Sequence, residues 1–420
     1  MNGSVAERAL VGDKEPMLES ANPLVLGYLI SQYPATSHTF IRREAAALRR
    51  KGITVRTYAS RRGDIAQDEE TRTFVILDQP LFAFFTAHLQ LSIRHPLRYV
   101  STLRLALSHR APGLKSLLWA LFHFAEAVVL ARRLRADGVD RLHNHFANSG
   151  ATIGLLTAYL LQLPWSLTLH GISEFDYPAG VLLARKLERA EFAACVSWFG
   201  MAQAMRLTPP SIWPRLSIVR CAIDPATLPA RVTHESGGPR PFRLIGVGRL
   251  SPEKGYAGLI SVVAGMIRDG YSLELRLVGS GPDEAMLRRL VKMEGAEKGI
   301  TFLGRLDEKE TLQQVVCSDA LVLASFMEGL PVVLMEALAL GVPAVASRVA
   351  GIPELVQDGE TGLLFDPGNW QDLRGALERL LADPLARKRM AENGRKLALA
   401  EFSYPAAAVP LISLLRPDHG

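Results

Sequence analysis

Two glutamates carry the first chemical suggestion in this chain. Glu328 and Glu336 stand with seven residues between them in SFMEGLPVVLMEALALG, which runs from Ser325 to Gly341. The apolar run Ala320 to Leu323 before them reads as a buried parallel strand, and Val342 to Ala346 after them reads as another. Between the two lies a helical pattern from about Pro331 to Leu340, closed by Gly341. Pro331 suits a first helical turn, where its missing N–H costs nothing. Glu328 is therefore expected in the loop after a strand, and Glu336 about two turns into the helix. The amides of Gly329, Leu330 and Val332 would face the mouth of the sheet, a natural cradle for anionic oxygens. The plain alternative is that both glutamates are solvated charges on an amphipathic helix. Against it, Glu336 sits within Leu334-Met335-Glu336-Ala337-Leu338, where a carboxylate needs a polar partner.

The block continues as GVPAVAS…GIPELV…GETGLL to Leu364. With EGLP at its start, the whole stretch resembles the retaining nucleotide-sugar glycosyltransferases of family 4. The resemblance implies that Glu328 binds hydroxyls of a donor sugar and that Glu336 binds the ribose. Upstream, Gly248-Arg249-Leu250-Ser251-Pro252-Glu253-Lys254-Gly255 resembles the family motif G-R-L-x-x-x-K-G, in which Arg249 and Lys254 would hold the leaving diphosphate. The plain reading of that pair is two solvated cations. The loop Gly304-Arg305-Leu306 would meet the nucleobase through main-chain groups. His170, in an H-G pair ending the strand Trp165 to Leu169, would approach the donor sugar and its diphosphate from the opposite wall. The turn YPATSHTFI, Tyr33 to Ile41, resembles the exopolysaccharide branch of the family, which includes colanic-acid-type enzymes. Thr36 and Ser37 in that turn either cap the following helix or face the cleft and touch the donor.

Glycosyl transfer builds negative charge on the departing diphosphate. No D-x-D triplet follows a strand end here, so no metal clamp is expected. Fixed cations and a helix start would stabilise the anion instead. No side chain stands out as a covalent nucleophile, and the resemblance implies retention by same-face attack. The expected co-substrate is a UDP- or GDP-linked sugar, with no other cofactor. The acceptor is read as a glycan or a polyprenyl-diphosphate-linked saccharide of exopolysaccharide or cell-surface glycan synthesis.

The elements that must position these residues follow a strand–helix rhythm. A chain of 420 residues is long for one core and suggests two domains. Residues 1–22 are polar and read as a disordered leader, without the apolar core of a signal peptide. Residues 23–223 form an acceptor-side Rossmann-like domain, with strands at Pro23 to Ile30 and Ile53 to Tyr58. Residues 224–241 are a Pro/Gly/Ser-rich linker. Residues 242–402 form the nucleotide-sugar-binding domain, and 403–420 would cross back to the first. The family fold implied is GT-B, two Rossmann-like α/β domains facing across a cleft.

Residues 81–135 interrupt the rhythm. They carry Arg94, Arg98, Arg104, Arg110, Lys115, Arg132, Arg133 and Arg135 against one acid, Glu126. Two or three amphipathic helices fit. They either cover the sheet or present a monotopic face to anionic lipid, and the two roles are compatible. The formal charge of +6 and pI near 9.3 favour an anionic surface or substrate rather than nucleic acid. Three scattered cysteines read as reduced thiols. The expected location is cytoplasmic, peripheral on the inner face of a bacterial cell membrane.

His143 and His145 at i, i+2 raise a metal site, but no third ligand stands at metal spacing; a polar strand end at the cleft is expected. Glu174 and Asp176 are candidate acceptor contacts. Three other functions fit parts of the pattern. A nucleotide-sugar epimerase can share the fold. A non-catalytic donor-binding subunit of a polysaccharide assembly would keep the fold without turnover. A dehydrogenase is suggested by G-x-G-x-x-S at Gly246 to Ser251, but Pro252 and the missing third glycine argue against it.

Overall fold

The computed structural model describes residues 23–35, 38–65, 72–171, 174–176, 179–230 and 240–416. The expected leader, Thr36 and Ser37, the middle of the linker and the last four residues lie outside the described residues.

The first sheet is built from β1 (Val25–Tyr33), β2 (Thr54–Arg62), β3 (Phe74–Val75), β4 (Arg141–His145), β5 (Trp165–Leu169), β6 (Ala193–Cys195) and β7 (Leu216–Ile218). Its order is β3-β2-β1-β4-β5-β6-β7, every pairing parallel. The helices between are α1 (Thr39–Arg50), α2 (Leu81–Arg94), α3 (Pro96–Ser108), α4 (Leu114–Ala136), α5 (Ser149–Leu161), α6 (Ala179–Arg189) and α7 (Trp198–Leu207). β1 runs to Tyr33 and β2 to Arg62, beyond the ends expected at Ile30 and Tyr58. Their polar tips still pair, Gln32 with Arg61 and Tyr33 with Arg62. β3 is too short to leave a periodic signal and was not expected.

The second sheet comprises β8 (Phe242–Val247), β9 (Leu273–Val278), β10 (Ile300–Gly304), β11 (Ala320–Leu323), β12 (Ala344–Ser347) and β13 (Gly362–Phe365). Its order is β10-β9-β8-β11-β12-β13, again parallel. Its helices are α8 (Tyr256–Arg268), α9 (Glu284–Met293), α10 (Glu308–Val316), α11 (Val332–Ala339), α12 (Trp370–Ala382) and α13 (Pro384–Glu401). The single helix expected over Trp370 to Phe402 is two. Asp383 caps α13 by accepting from the amide of Ala386, and Pro384 occupies its first turn. Pro331 is the N-cap of α11, one place outside the helix it was expected to begin.

α14 (Tyr404–Leu415) packs on the first sheet: Leu411 and Leu415 are buried with Leu26, Tyr28, Ile30 and Ile41. The insert folds as the three helices α2, α3 and α4. Among the described helices α4 alone is long and apolar enough to cross a bilayer by length and composition. However, Ala127 to Leu134 of α4 lie largely in the first core.

In each sheet the strand order reverses once, between β1 and β4 and between β8 and β11. Ligands of parallel sheets bind at the carboxyl side of that reversal. Arg249 follows β8 and Glu328 follows β11, so the second reversal lies between them.

Candidate active site

The loops after β8 and β11 meet because one glycine permits it. Gly255 has φ +64°, and a Cβ there would lie 2.0 Å from the carbonyl oxygen of Ala324. The Phe326 amide donates to the carbonyl of Glu253 at 2.8 Å. This juxtaposition brings Lys254 Nζ within 2.6 Å of Glu328 Oε1. The hydroxyl of Ser325 donates to the same oxygen at 2.6 Å. Arg249 is exposed at the tip of the β8 loop. Gly329, Leu330 and Val332 form the turn into α11, with Leu330 buried. Gly304, at φ +72°, ends β10, and its carbonyl accepts from the Gly279 amide at 2.7 Å. Arg305 pairs with Asp64 of the first domain, and Leu306 packs against the second core.

The turn at Gly329 touches the opposite domain. A Cβ on Gly329 would stand 2.1 Å from the carbonyl oxygen of His170. His170 thus borders the site, but through its main chain. Its ring lies between Phe40 and Phe146, with centroids 4.8 and 4.7 Å away. Nε2 is 3.0 Å from His145 Nδ1, and Nδ1 is 3.8 Å from the sulfur of Cys221. Burial, with His38 and His143 beside it, lowers the imidazole to about 3, so the ring is neutral. The expected contact of this ring with sugar and diphosphate would need the ring to turn out of its aromatic cage.

Glu336 lies on α11, as expected, and its polar partner in the fold is protein. It is 8% exposed, and its Oε1 accepts from Arg43 Nη2 at 2.7 Å. The polar partner that a buried carboxylate requires is an arginine on α1 of the other domain. Burial raises its pKa, and the guanidinium of Arg43 opposes that shift.

Three polar side chains of the first domain have structural partners. His143 is buried, with its nitrogens 2.8 Å from Ser166 Oγ and 2.8 Å from Thr168 Oγ1. Asn144 bridges the Leu29 carbonyl and the Trp165 indole. Glu174 accepts from the amides of Ala147, His170 and Gly171, tying the end of β5 to the turn after β4. Burial lifts its pKa to about 7. Beside it the buried Lys186 donates to the carbonyls of Ala147 and Asn148. Among the described residues no group of three or more His, Cys, Asp or Glu is arranged to hold a metal ion.

Local pattern did not single out three contributors. Ser325 is a small residue at a strand end. Arg43 is indistinguishable in sequence from its neighbour Arg42. Glu354 accepts from the first amides of α7, Trp198 at 3.0 Å and Phe199 at 3.1 Å, and also binds Arg220, all in the first domain. It caps a helix of the opposite domain, a long-range contact that no local spacing encodes.

Two parallel sheets facing across such a cleft are the GT-B architecture. The fold is shared with Anabaena Alr3699/HepE in complex with UDP-glucose, at TM-score 0.71 and 16% identity over 94% of this chain and 100% of that one. Residues 235–397 match the family model "Glycosyl transferases group 1". The D-inositol 3-phosphate glycosyltransferase of Corynebacterium efficiens is 31% identical over 324 residues, 69% of this chain and 74% of that protein. The putative colanic acid biosynthesis glycosyltransferase WcaL of Salmonella typhimurium is 25% identical over 421 residues, 93% of this chain and 99% of that protein. The chain spans only 41–46% of several other curated relatives. The chain belongs to the group 1 glycosyl transferases, the family 4 enzymes.

Proposed function

We propose that this enzyme moves a sugar, with retention, from a UDP- or GDP-linked donor to a lipid-linked or oligosaccharide acceptor in exopolysaccharide or cell-surface glycan synthesis. The observation that carries the reading is the Lys254–Glu328 pair at the reversal point of the second sheet, 2.6 Å apart. Arg249, Lys254 and the start of α11 would stabilise the departing diphosphate as fixed charges. Lys254 and Ser325 share one oxygen of Glu328, so a sugar hydroxyl would take the other. Glu336 would hold the ribose, and the loop from Gly304 to Leu306 the nucleobase. HepE, whose fold this chain shares, binds UDP-glucose, which supports the class of donor. The near full-length similarity to WcaL supports the pathway.

The acceptor would be met at a membrane. α2 and α3 expose Leu81 at 88%, Phe82 at 73% and Leu97 at 85%, and the first half of α4 exposes Leu114 at 73%. Arg94, Arg98, Arg104 and Lys115 are exposed on the same helices. Apolar side chains flanked by cations suit the inner, anionic leaflet, and we place the enzyme there as a peripheral protein. The test is a thermal-shift screen of nucleotide sugars, followed by turnover of the stabilising donor. Lys254→Ala and Glu328→Ala should each lose most transfer while remaining folded, and wild-type activity should survive a chelator. Unchanged turnover in both variants would remove the proposal.

A further inference from the structure

Arg43 reaches out of α1 in the first domain and ends among carboxylates of the second. Its Nη2 donates to Glu336 at 2.7 Å, and its Nε to Glu308 Oε1 at 3.1 Å. Arg42, one residue earlier, takes the other oxygen of Glu308 at 3.3 Å. Arg43 and Glu336 are each 8% exposed. The remaining nitrogen, Nη1, is buried without a hydrogen-bond partner. A guanidinium is rigid and planar, so the acceptor Nη1 lacks would lie in the same plane, on the Glu336 side of the cleft. An orphaned cationic donor beside a carboxylate assigned to ribose is short of one oxygen, and a nucleotide offers several.

Resting on that assignment of Glu336, we infer that Arg43 is a positioning residue for the donor nucleotide. It is lent by the acceptor-side domain, it keeps Glu336 ionised and aimed at the ribose, and it makes the nucleotide site complete only when the two domains are closed. A carboxylate as buried as Glu336 tends toward its neutral form, and the nearby charge of Glu308 adds to that tendency. A neutral carboxyl is a poorer acceptor for ribose hydroxyls. The charged groups facing Glu336 are Arg43 from α1 and Glu308 from α10. Behind Arg43 lies the buried, unpartnered hydroxyl of Tyr404 on α14. Arg43 is the one cation among these that bonds to Glu336. Closure of the cleft and recognition of the nucleotide therefore use the same guanidinium.

The experiment is calorimetric titration of UDP and of GDP into the full chain and into four variants, with thermal denaturation as the check on folding. Arg43→Met should weaken nucleotide binding about 30-fold at neutral pH. Affinity should recover as the pH is raised, because burial lifts the pKa of Glu336 and the opposing cation is gone. Arg43→Lys should keep part of the affinity. Glu308→Gln should stay close to wild type, because Arg43 still serves Glu336. If Glu336→Gln leaves affinity unchanged, the ribose assignment itself is wrong. If Glu336→Gln weakens binding but Arg43→Met does not, the assignment stands and the inference falls. Loss in Arg43→Met without recovery at high pH, matched by equal loss in Glu308→Gln, makes Arg43 a domain clamp only and overturns the inference. Should Arg43→Met not fold, Arg43→Lys and Glu308→Gln decide: equal loss in both refutes the positioning role, and loss confined to Arg43→Lys upholds it.

Discussion

Replacing Gly329 by alanine isolates the contact between the two domains. The residue has no positive φ to lose, so the substitution introduces no backbone strain of its own. The added Cβ would stand 2.1 Å from the carbonyl oxygen of His170. An ordinary carbon–oxygen contact is roughly 3.3 Å, so the walls must part there by about 1.2 Å. The backbone of His170 is pinned by Glu174 and cannot give way cheaply. On the other side, the Gly329 carbonyl is held by the amide of Gly351 at 3.1 Å. The shift therefore falls on the opening of the cleft. A misplacement of about 1 Å between reacting groups costs on the order of 100-fold in rate. Release of nucleoside diphosphate from the donor, with acceptor present, should fall by about that factor in Gly329→Ala. The melting temperature should change little, because the residue lies in a loop outside both sheets. Turnover near wild type would show that transfer does not need the domains to meet at this point.

Replacing Leu81, Phe82 and Leu97 together by serine should abolish co-sedimentation with vesicles rich in anionic lipid and leave nucleotide binding intact, since these side chains are 73–88% exposed; equal sedimentation of variant and wild type would dismiss the membrane face. Stability should depend on pH in two stages. His109, His143 and His170 are lowered to about 3 by burial and His145 falls well below 6.5, so the stability they contribute is complete above pH 6.5 and is lost as the pH falls. Burial raises Glu44, Glu126 and Glu174 from 4.5 to about 7, so what they contribute is complete below pH 4.5 and is lost as the pH rises through 7. His38 and His123, lowered to about 4, join the other histidines, so the glutamates offset only part of the loss from pH 6.5 to 4.5 and none of it below. Denaturation midpoints should thus fall gently at first and steeply under pH 4.5; a flat profile to pH 4 would contradict the buried neutral state of these rings.

The alternation of parallel strands with helices was legible because most of the strands are short apolar runs, as in Ala320 to Leu323 and in Val342 to Ala346, which Gly341 precedes. The positions of Arg249, Lys254, Glu328 and Glu336 on the fold were legible because they lie at fixed offsets from strand ends, and local offset is what a sequence records. β3 left no signal because two residues have no period. His143 was expected at a polar strand end at the cleft. It and Asn144 are buried, because Ser166, Thr168, Trp165 and the Leu29 carbonyl satisfy them from neighbouring strands. Register between strands, not residue type, decides that a polar side chain is buried at no loss.

Three of the contacts that escaped the sequence cross from one domain to the other. Arg43 meets Glu336 and Glu308, the Gly329 turn meets the His170 carbonyl, and Glu354 caps α7. Arg43 and Glu336 lie 293 residues apart in the chain, so no window contains both, and each alone looks like a surface charge. The pairing nonetheless changes how Glu336 is understood. Read from sequence, it is a carboxylate waiting for a ribose. In the fold it is a carboxylate whose charge depends on the other domain, because an isolated buried anion is strongly disfavoured. The proposed donor site is then not a property of the second domain alone. The half that carries the family motif would supply the geometry, and the first domain the cation that keeps one of its proposed ligands ionised. Substitutions in α1, far from the motif in sequence, should therefore alter nucleotide affinity as directly as substitutions within it.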